Sequence, residues 1–168
     1  MKLLVKEITV LSGKGGTGKT SVTASLAVLA QNAVLTDCDV DAPDLHMLLK
    51  PEVLEKHEFK ASRVAVLDSE LCVQCGKCEE HCRFGAIEKH VIDLILCEGC
   101  GVCVYVCPVA AIELEKRISG YAFISKTKYG PMSHALLNPG EENSGKLVSL
   151  VRKNAKKIAE KENCELIV

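Results

Sequence analysis

Two evenly spaced cysteine runs constrain this chain more than any other feature of its sequence. Each run has the pattern C-x2-C-x2-C-x3-C, and the second run repeats the first at an offset of 25 residues. Glycine, alanine and isoleucine at matching positions extend the repeat beyond the cysteines. Agreement at one fixed offset indicates an internal duplication. The eight cysteines are Cys72, Cys75, Cys78 and Cys82 in the first run, and Cys97, Cys100, Cys103 and Cys107 in the second.

This spacing is typical of a pair of four-iron, four-sulfur clusters. Three cysteines on one short loop can bind three corners of a cubane cluster, while the fourth cysteine of the run reaches the other cluster. Crossed ligation of this kind predicts two sets of ligands. One set is Cys72, Cys75, Cys78 and Cys107, and the other is Cys97, Cys100, Cys103 and Cys82. We therefore expect two [4Fe–4S] clusters as cofactors.

Zinc sites and disulfides are the alternatives for these cysteines. Structural zinc sites use paired C-x2-C units that close a tetrahedron, and they do not need a third C-x2 step. Disulfides need an oxidising compartment, and the sequence shows no secretory signal. The pattern favours iron–sulfur ligation over both alternatives. Cys38 and Cys164 lie outside the repeat, and we interpret them as ordinary buried cysteines.

A glycine-rich segment near the N-terminus fits the phosphate-binding pattern G-x-x-x-x-G-K-[ST]. It lies between a predicted strand and a predicted helix, which is the context that this motif requires. Its glycines let backbone N–H groups point at phosphate oxygens, and the helix N-terminus favours negative charge. Lys19 should contact the β- and γ-phosphates, and Thr20 should bind Mg²⁺ through its hydroxyl. The predicted residues for binding ATP and Mg²⁺ are Gly13, Gly15, Gly16, Thr17, Gly18, Lys19, Thr20 and Ser21.

The K-G-G-T-G-K-T form of this loop, with the additional Lys14, resembles the deviant phosphate loop of MinD/ParA-type ATPases. The resemblance implies that Lys14 reaches the nucleotide of a partner subunit, so that the intact protein is a homodimer. The acidic segment from Asp37 to Asp44 is similar to the family's switch I, where the residue matching Asp39 positions the attacking water or the Mg²⁺ shell. The alternative for its aspartates is a set of solvated turn residues. The resemblance thus implies catalytic roles for Lys14, Lys19 and Asp39.

Essentially the whole chain resembles MinD-superfamily P-loop ATPases that contain an inserted ferredoxin domain. The resemblance implies a P-loop domain over residues 1–66, an inserted domain over residues 67–115, and a continued P-loop domain over residues 116–168. Residues 141–143, before a predicted helix, suggest helix capping or a contact near a cluster or nucleotide. Family members continue into a switch II segment, and this sequence stops just before it. We therefore expect an N-terminal portion of a longer protein, and the sequence does not predict ATP hydrolysis by this portion alone.

The predicted fold class is α/β, a partial P-loop fold with a parallel sheet and an inserted α+β ferredoxin module. Residues 3–11 and 33–36 are predicted strands on either side of a helix over residues 19–31, which makes a βαβ unit. Hairpin strands are expected between residues 114 and 137, and a further strand over residues 164–168. A helix over residues 145–162 has one apolar face, formed by Leu147, Val151, Ala155 and Ile158.

Composition excludes two classes of partner. The formal net charge of −1 leaves no basic surface for nucleic acid, and aromatic residues, at 4%, are too few for a base-stacking surface. The apolar runs are too short to span a membrane. We expect a cytoplasmic protein whose partners are redox proteins and a second copy of itself.

The sequence therefore predicts an ATP-binding iron–sulfur protein in which the nucleotide gates electron transfer through two clusters. An iron–sulfur carrier or assembly ATPase is the first alternative, although clusters held by four cysteines each are hard to give away. The second alternative is a ferredoxin-like electron carrier whose nucleotide fold does not hydrolyse ATP.

Overall fold

The computed structural model describes residues 4–141 and 144–168 and divides them into two compact units. The first, which we call the sheet unit, comprises residues 4–59, 120–138 and 144–168. The second, which we call the cysteine unit, comprises residues 60–119 and 139–141. In sequence, the cysteine unit is thus an insertion within the sheet unit.

The described residues contain ten strands and five helices, of which α5 is the longest, with 19 residues. No helix within the described ranges is long and apolar enough to cross a membrane. In chain order the elements are β1 (Lys6–Glu7), α1 (Lys19–Leu29), β2 (Ala33–Asp37), α2 (Leu45–Leu49), β3 (Glu52–Phe59), β4 (Arg63–Leu67), α3 (Lys77–Glu80), β5 (Ile87–Glu88), β6 (Val91–Ile92), α4 (Val102–Val106), β7 (Ile112–Lys116), β8 (Gly120–Thr127), β9 (Gly130–Leu137), α5 (Ser144–Glu162) and β10 (Leu166–Ile167).

The sheet unit is built on six strands in the order β1-β10-β2-β9-β8-β3. Strands β1, β10, β2 and β9 are paired in parallel, and β8 and β3 add to this group as antiparallel neighbours. The parallel sheet predicted from the βαβ pattern is therefore confirmed for four strands. The predicted hairpin is confirmed as β8 and β9, and its presence makes the whole sheet mixed.

Helix α5 supplies much of the core of the sheet unit. Leu147, Val151 and Ala155 are completely buried and Ile158 is 6% exposed, so the predicted apolar face is confirmed. Two apolar clusters form on this face, one at each end of the helix. Ser133 on β9 donates a hydrogen bond of 3.0 Å from Oγ to the carbonyl oxygen of Val151, which satisfies a buried hydroxyl between helix and sheet.

Some local predictions are wrong in extent. The strand predicted over residues 3–11 is limited to Lys6–Glu7, which pair with the two residues of β10; Leu3 lies outside the described residues. The helix predicted over residues 19–31 forms as α1 and ends at Leu29, and its Val22 and Leu29 side chains are exposed. Strand β3 was not expected, because its charged and exposed sequence does not show the alternation of a half-buried strand.

The cysteine unit consists of two small antiparallel pairs and two short helices. Strands β4 and β7 pair along their full length, and β5 and β6 form a hairpin. Gly76 and Gly101 precede α3 and α4 in the left-handed conformation, so both helices begin at the same point of the repeat. The core contains Ala65, Ile87 and Ile112 together with cysteine side chains.

Replacing Leu147 by alanine should lower the free energy of unfolding by about 2–5 kcal/mol, because the lost side chain leaves a cavity in a fully buried position. Chemical denaturation followed by circular dichroism measures this change. Lys153→Ala, at an exposed position of the same helix, is the matched control and should change the free energy by about 0.5 kcal/mol or less. Equal effects of the two substitutions would contradict the assigned burial.

Candidate functional site

The glycine-rich loop of the sheet unit leads directly into α1, which begins at Lys19. Gly16 and Gly18 have φ angles of 73° and 88°, a left-handed backbone that favours glycine. Helix α1, which is described in full, has no side-chain cap at its start and no acidic residue in its first turn. The N–H groups of that turn are therefore available to an acceptor from outside the helix.

A cavity of about 530 Å³ brings the start of α1 together with the segment that follows β2. Lys19 and Thr20 line it from the helix, and Asp37, Asp39 and Asp41 line it from the acidic segment. Lys19 Nζ lies 3.0 Å from Asp39 Oδ2, and 38% and 41% of the two side chains are exposed. Three of the predicted site residues, Lys19, Thr20 and Asp39, thus surround one cavity.

The other predicted residues of the loop do not line this cavity, although all of them lie within the described ranges. Lys14 is exposed, and its carbonyl oxygen accepts hydrogen bonds from the hydroxyls of Ser12 and Thr17 at 3.1 and 3.3 Å. Ser21 is also exposed. The space around the loop is open: a Cβ atom added at any of its glycines would have no other atom within 4 Å. These glycines are Gly13, Gly15, Gly16 and Gly18.

Asp37 holds the segment that carries Asp39. Its Oδ1 accepts the N–H of Asp39 at 3.1 Å and its Oδ2 accepts the N–H of Leu45 at 3.0 Å. The side chain is buried, and burial is the main cause that raises the pKa of this carboxyl. Asp37 therefore positions the backbone and is not the solvated turn residue that the sequence allowed. The position of Asp37 at the end of the apolar strand β2 is the sequence feature that could have predicted its burial.

His134 is a second buried residue that sequence reasoning missed. It lies on β9 opposite Asp37, and a hydrogen bond of 2.9 Å joins its Nε2 to Ser125 Oγ. The ring stacks with Phe123 and with His46 of α2, at centroid distances of 4.9 and 6.2 Å. Burial, assisted by His46, lowers the pKa of His134 to about 4. His134 is therefore neutral near pH 7 and links β9 to the helix that follows the acidic segment.

Two cavities in the cysteine unit sort the eight cysteines into two sets of four. The first cavity, of about 20 Å³, is lined by Cys97, Cys100, Cys103 and Cys82. The second cavity, of about 10 Å³, is lined by Cys72, Cys75, Cys78 and Cys107. Each cavity takes three cysteines from one run and the fourth from the other. These are the two sets that crossed ligation predicts from the spacing.

The two runs share a backbone conformation as well as a sequence pattern. Left-handed φ angles occur in pairs that are separated by the repeat offset, at Gln74 and Gly99 (54° and 60°), Gly76 and Gly101 (76° and 81°), and Gly85 and Ala110 (63° and 51°). At Gly99 a Cβ would lie 2.2 Å from the carbonyl oxygen of Arg63, so a side chain cannot be accommodated there. The duplication therefore extends to the loops that carry the thiols.

Backbone N–H groups point at several of the sulfur atoms. The Sγ atoms of Cys97, Cys72 and Cys107 accept N–H groups at 3.4, 3.4 and 3.2 Å. Such donors stabilise a thiolate relative to a thiol. Cys78 and Cys103 are the buried members of their runs, and burial raises the pKa of both thiols. Binding of a metal group at these cysteines therefore requires the release of protons.

Within residues 4–141 and 144–168, no group of three or more His, Cys, Asp or Glu side chains is arranged so that it could hold a metal ion. All ten cysteines are free. Cys164 is buried, as predicted. The prediction is wrong for Cys38, which is exposed because it lies where the chain leaves β2, and which lines the cavity of the sheet unit.

Glu141 has a structural partner in the cysteine unit. Its side chain is only 4% exposed, forms an ion pair with Arg117 and accepts a hydrogen bond of 2.7 Å from Ser62 Oγ. Arg117 Nε also donates to Ser62 Oγ, at 3.2 Å. The network joins both ends of the inserted segment to Glu141. Glu142 and Asn143 lie outside the described residues.

Comparison with known proteins adds a family and a relative. Residues 8–167 match the family model described as the CobQ/CobB/MinD/ParA nucleotide binding domain. An uncharacterized protein of Methanocaldococcus jannaschii is 39% identical over 157 residues. The match covers 92% of this chain and 56% of that protein, so the chain spans about half the length of this relative.

The low pKa of His134 predicts that the sheet unit loses stability in mildly acidic solution. Between the ordinary histidine pKa of 6.5 and about 4, the unfolded chain binds a proton at this residue and the folded chain does not. The free energy of unfolding should therefore fall as the pH drops from 7 to 4, by up to about 3 kcal/mol from this group. Denaturation curves at several pH values measure the loss. His134→Gln should show a correspondingly smaller loss, and parallel pH profiles of the two proteins would exclude this role.

Proposed function

Since the chain belongs to the CobQ/CobB/MinD/ParA family of nucleotide-binding domains, we propose that it binds ATP and uses the nucleotide to gate electron transfer through two [4Fe–4S] clusters. Family membership supports the nucleotide part of the proposal. The cluster part rests on one observation, which is the sorting of eight cysteines into two cavities with four thiols each. In this proposal the cysteine unit is the inserted ferredoxin module, and a second copy of the chain is its partner in the intact dimer.

The four cysteines that line each cavity match an iron–sulfur cluster in the kind and number of ligands. Thiolates are the soft ligands that iron–sulfur clusters require, and a [4Fe–4S] cluster takes four of them. Each cavity provides four, and N–H groups directed at sulfur support the negative charge that ligation creates. When bound, each cluster would supply a one-electron redox centre. Apolar walls that include Ile87 and Ile112 would limit the access of water.

The start of α1 fits a nucleotide phosphate. Lys19 supplies a positive charge, Thr20 a hydroxyl for Mg²⁺, and the first turn of the helix its free N–H groups. Lys19 is paired with Asp39, and an ion pair this exposed is worth about 1 kcal/mol or less. A phosphate can therefore replace Asp39 as the partner of Lys19 at small cost. The released Asp39 carboxylate is then free to join the Mg²⁺ shell, so nucleotide binding changes the acidic segment.

Crossed ligation predicts which cysteines depend on each other. Cys82→Ala with Cys97→Ala removes two thiols from the same cavity and leaves the other cavity complete. That double variant should retain about four iron atoms per chain and one intact centre in the electron paramagnetic resonance (EPR) spectrum after anaerobic reduction. Cys82→Ala with Cys72→Ala removes one thiol from each cavity, so no complete site remains.

These two double variants form a matched pair, because Cys72 and Cys97 occupy the same position of the repeat and each variant lacks two thiols. Retention of the intact centre in the Cys82 and Cys72 variant, and its loss in the Cys82 and Cys97 variant, would show that each run ligates its own cluster. Zinc in place of iron in the wild-type chain would remove the cluster proposal altogether.

Nucleotide gating predicts that Mg-ATP shifts the midpoint potential of at least one centre, because the two conformations stabilise the reduced cluster differently. An anaerobic redox titration with and without Mg-ATP measures the shift. The Lys19→Gln variant should lose this shift and keep its iron content, because the substitution removes a phosphate contact in the sheet unit and leaves the cysteine unit unchanged. Midpoint potentials that do not change with Mg-ATP would support the ferredoxin-like alternative. Transfer of iron to an acceptor protein that lacks a cluster would support the iron–sulfur carrier.

A further inference from the structure

The second cavity of the cysteine unit contains a polar atom without a partner. His90 lines this cavity beside Cys72, Cys75, Cys78 and Cys107, and its Nε2 is buried with no hydrogen-bond partner within the described parts of the chain. An unpaired buried nitrogen costs free energy, so a native protein that keeps one usually does so for a binding partner that completes it.

The backbone shows that His90 is held in this position. It is the second residue of the two-residue turn between β5 and β6, where Lys89 and His90 have φ angles of 47° and 64°. The left-handed conformation is uncommon for residues other than glycine. The N–H of Lys89 donates to Glu79 Oε2 at 3.1 Å, which fixes the turn to α3. The hairpin thus delivers the imidazole to the cavity although glycine or asparagine would suit the turn better.

The first cavity has no equivalent residue. The repeat offset places Glu115 at the position that corresponds to His90, and Glu115 lies on β7 opposite Val64 of β4. Among the described residues that line the first cavity there is no histidine. The two cavities therefore have the same number of thiols, but only the second has a histidine among the described residues that line it.

We propose that His90 is a positioning residue that donates a hydrogen bond from Nε2–H to a sulfur of the centre held by Cys72, Cys75, Cys78 and Cys107. The proposal rests on the iron–sulfur function proposed above. Reduction adds negative charge at the sulfurs, so a donated hydrogen bond stabilises the reduced form more than the oxidised form. His90 thereby raises the reduction potential of this centre and makes the two centres unequal.

The test uses chains in which one cavity is left complete, so that each potential belongs to a known centre. In the Cys82→Ala and Cys97→Ala background the complete cavity is the one that contains His90. There, His90→Leu should lower the midpoint potential measured by anaerobic redox titration with EPR detection. His90→Gln, which keeps an N–H at similar reach, should restore most of the loss. Lys89→Gln, in the same turn, is the control for charge and should leave the potential unchanged.

The reciprocal background, Cys72→Ala with Cys107→Ala, leaves the other cavity complete, and His90→Leu should not shift its potential. In the Cys82→Ala and Cys97→Ala background, the chains with and without His90→Leu could have equal midpoint potentials while both keep one complete centre. That result would overturn the role of His90 and leave the iron–sulfur function standing. An equal decrease in the Leu and Gln variants would also overturn it, because packing and not the N–H would then be responsible. Absence of iron and sulfide from the parent chain would overturn both proposals.

Discussion

The exchange of the fourth cysteine between the two runs is the constraint on which the cysteine unit depends. Cys107 lines the cavity of the first run and Cys82 lines the cavity of the second, so each cavity takes residues from both halves of the repeat. The pairing of β4 with β7 joins the residues before the first run to those after the second. The core is small and includes Cys78 and Cys103, and a bound group would therefore contribute directly to folding.

The cavity of the sheet unit combines a fixed residue, Asp37, with an ion pair that a ligand can replace, between Lys19 and Asp39. Asp37 is buried, and both of its carboxylate oxygens accept backbone N–H groups, so the segment after β2 has a defined anchor. Stacking of His134 with His46 holds the helix that follows. The pair between Lys19 and Asp39 is different, because both side chains are partly exposed and gain little from each other. A ligand can therefore take Lys19 without disturbing the anchor.

Features that depend on local spacing could be predicted from the sequence. The two sets of cavity-lining cysteines agree with the sets that the spacing of the runs predicts, and the buried face of α5 follows from helical periodicity. Features that depend on distant partners could not. Strand β3 is charged and is recognisable only beside β8, and β1 pairs with β10 at the other end of the chain. The positions of His134 and His90 depend on the pairing of β9 with β2 and on the placement of a hairpin turn against a cavity.

Mössbauer spectroscopy of the wild-type chain, produced with isotopically enriched iron and isolated without oxygen, tests most directly whether the two four-thiol cavities hold clusters. The account predicts about eight iron atoms per chain with an equal amount of sulfide, all with the spectrum of oxidised [4Fe–4S] centres. A chain that folds with zinc or with disulfides at these cysteines, and contains no acid-labile sulfide, would contradict it.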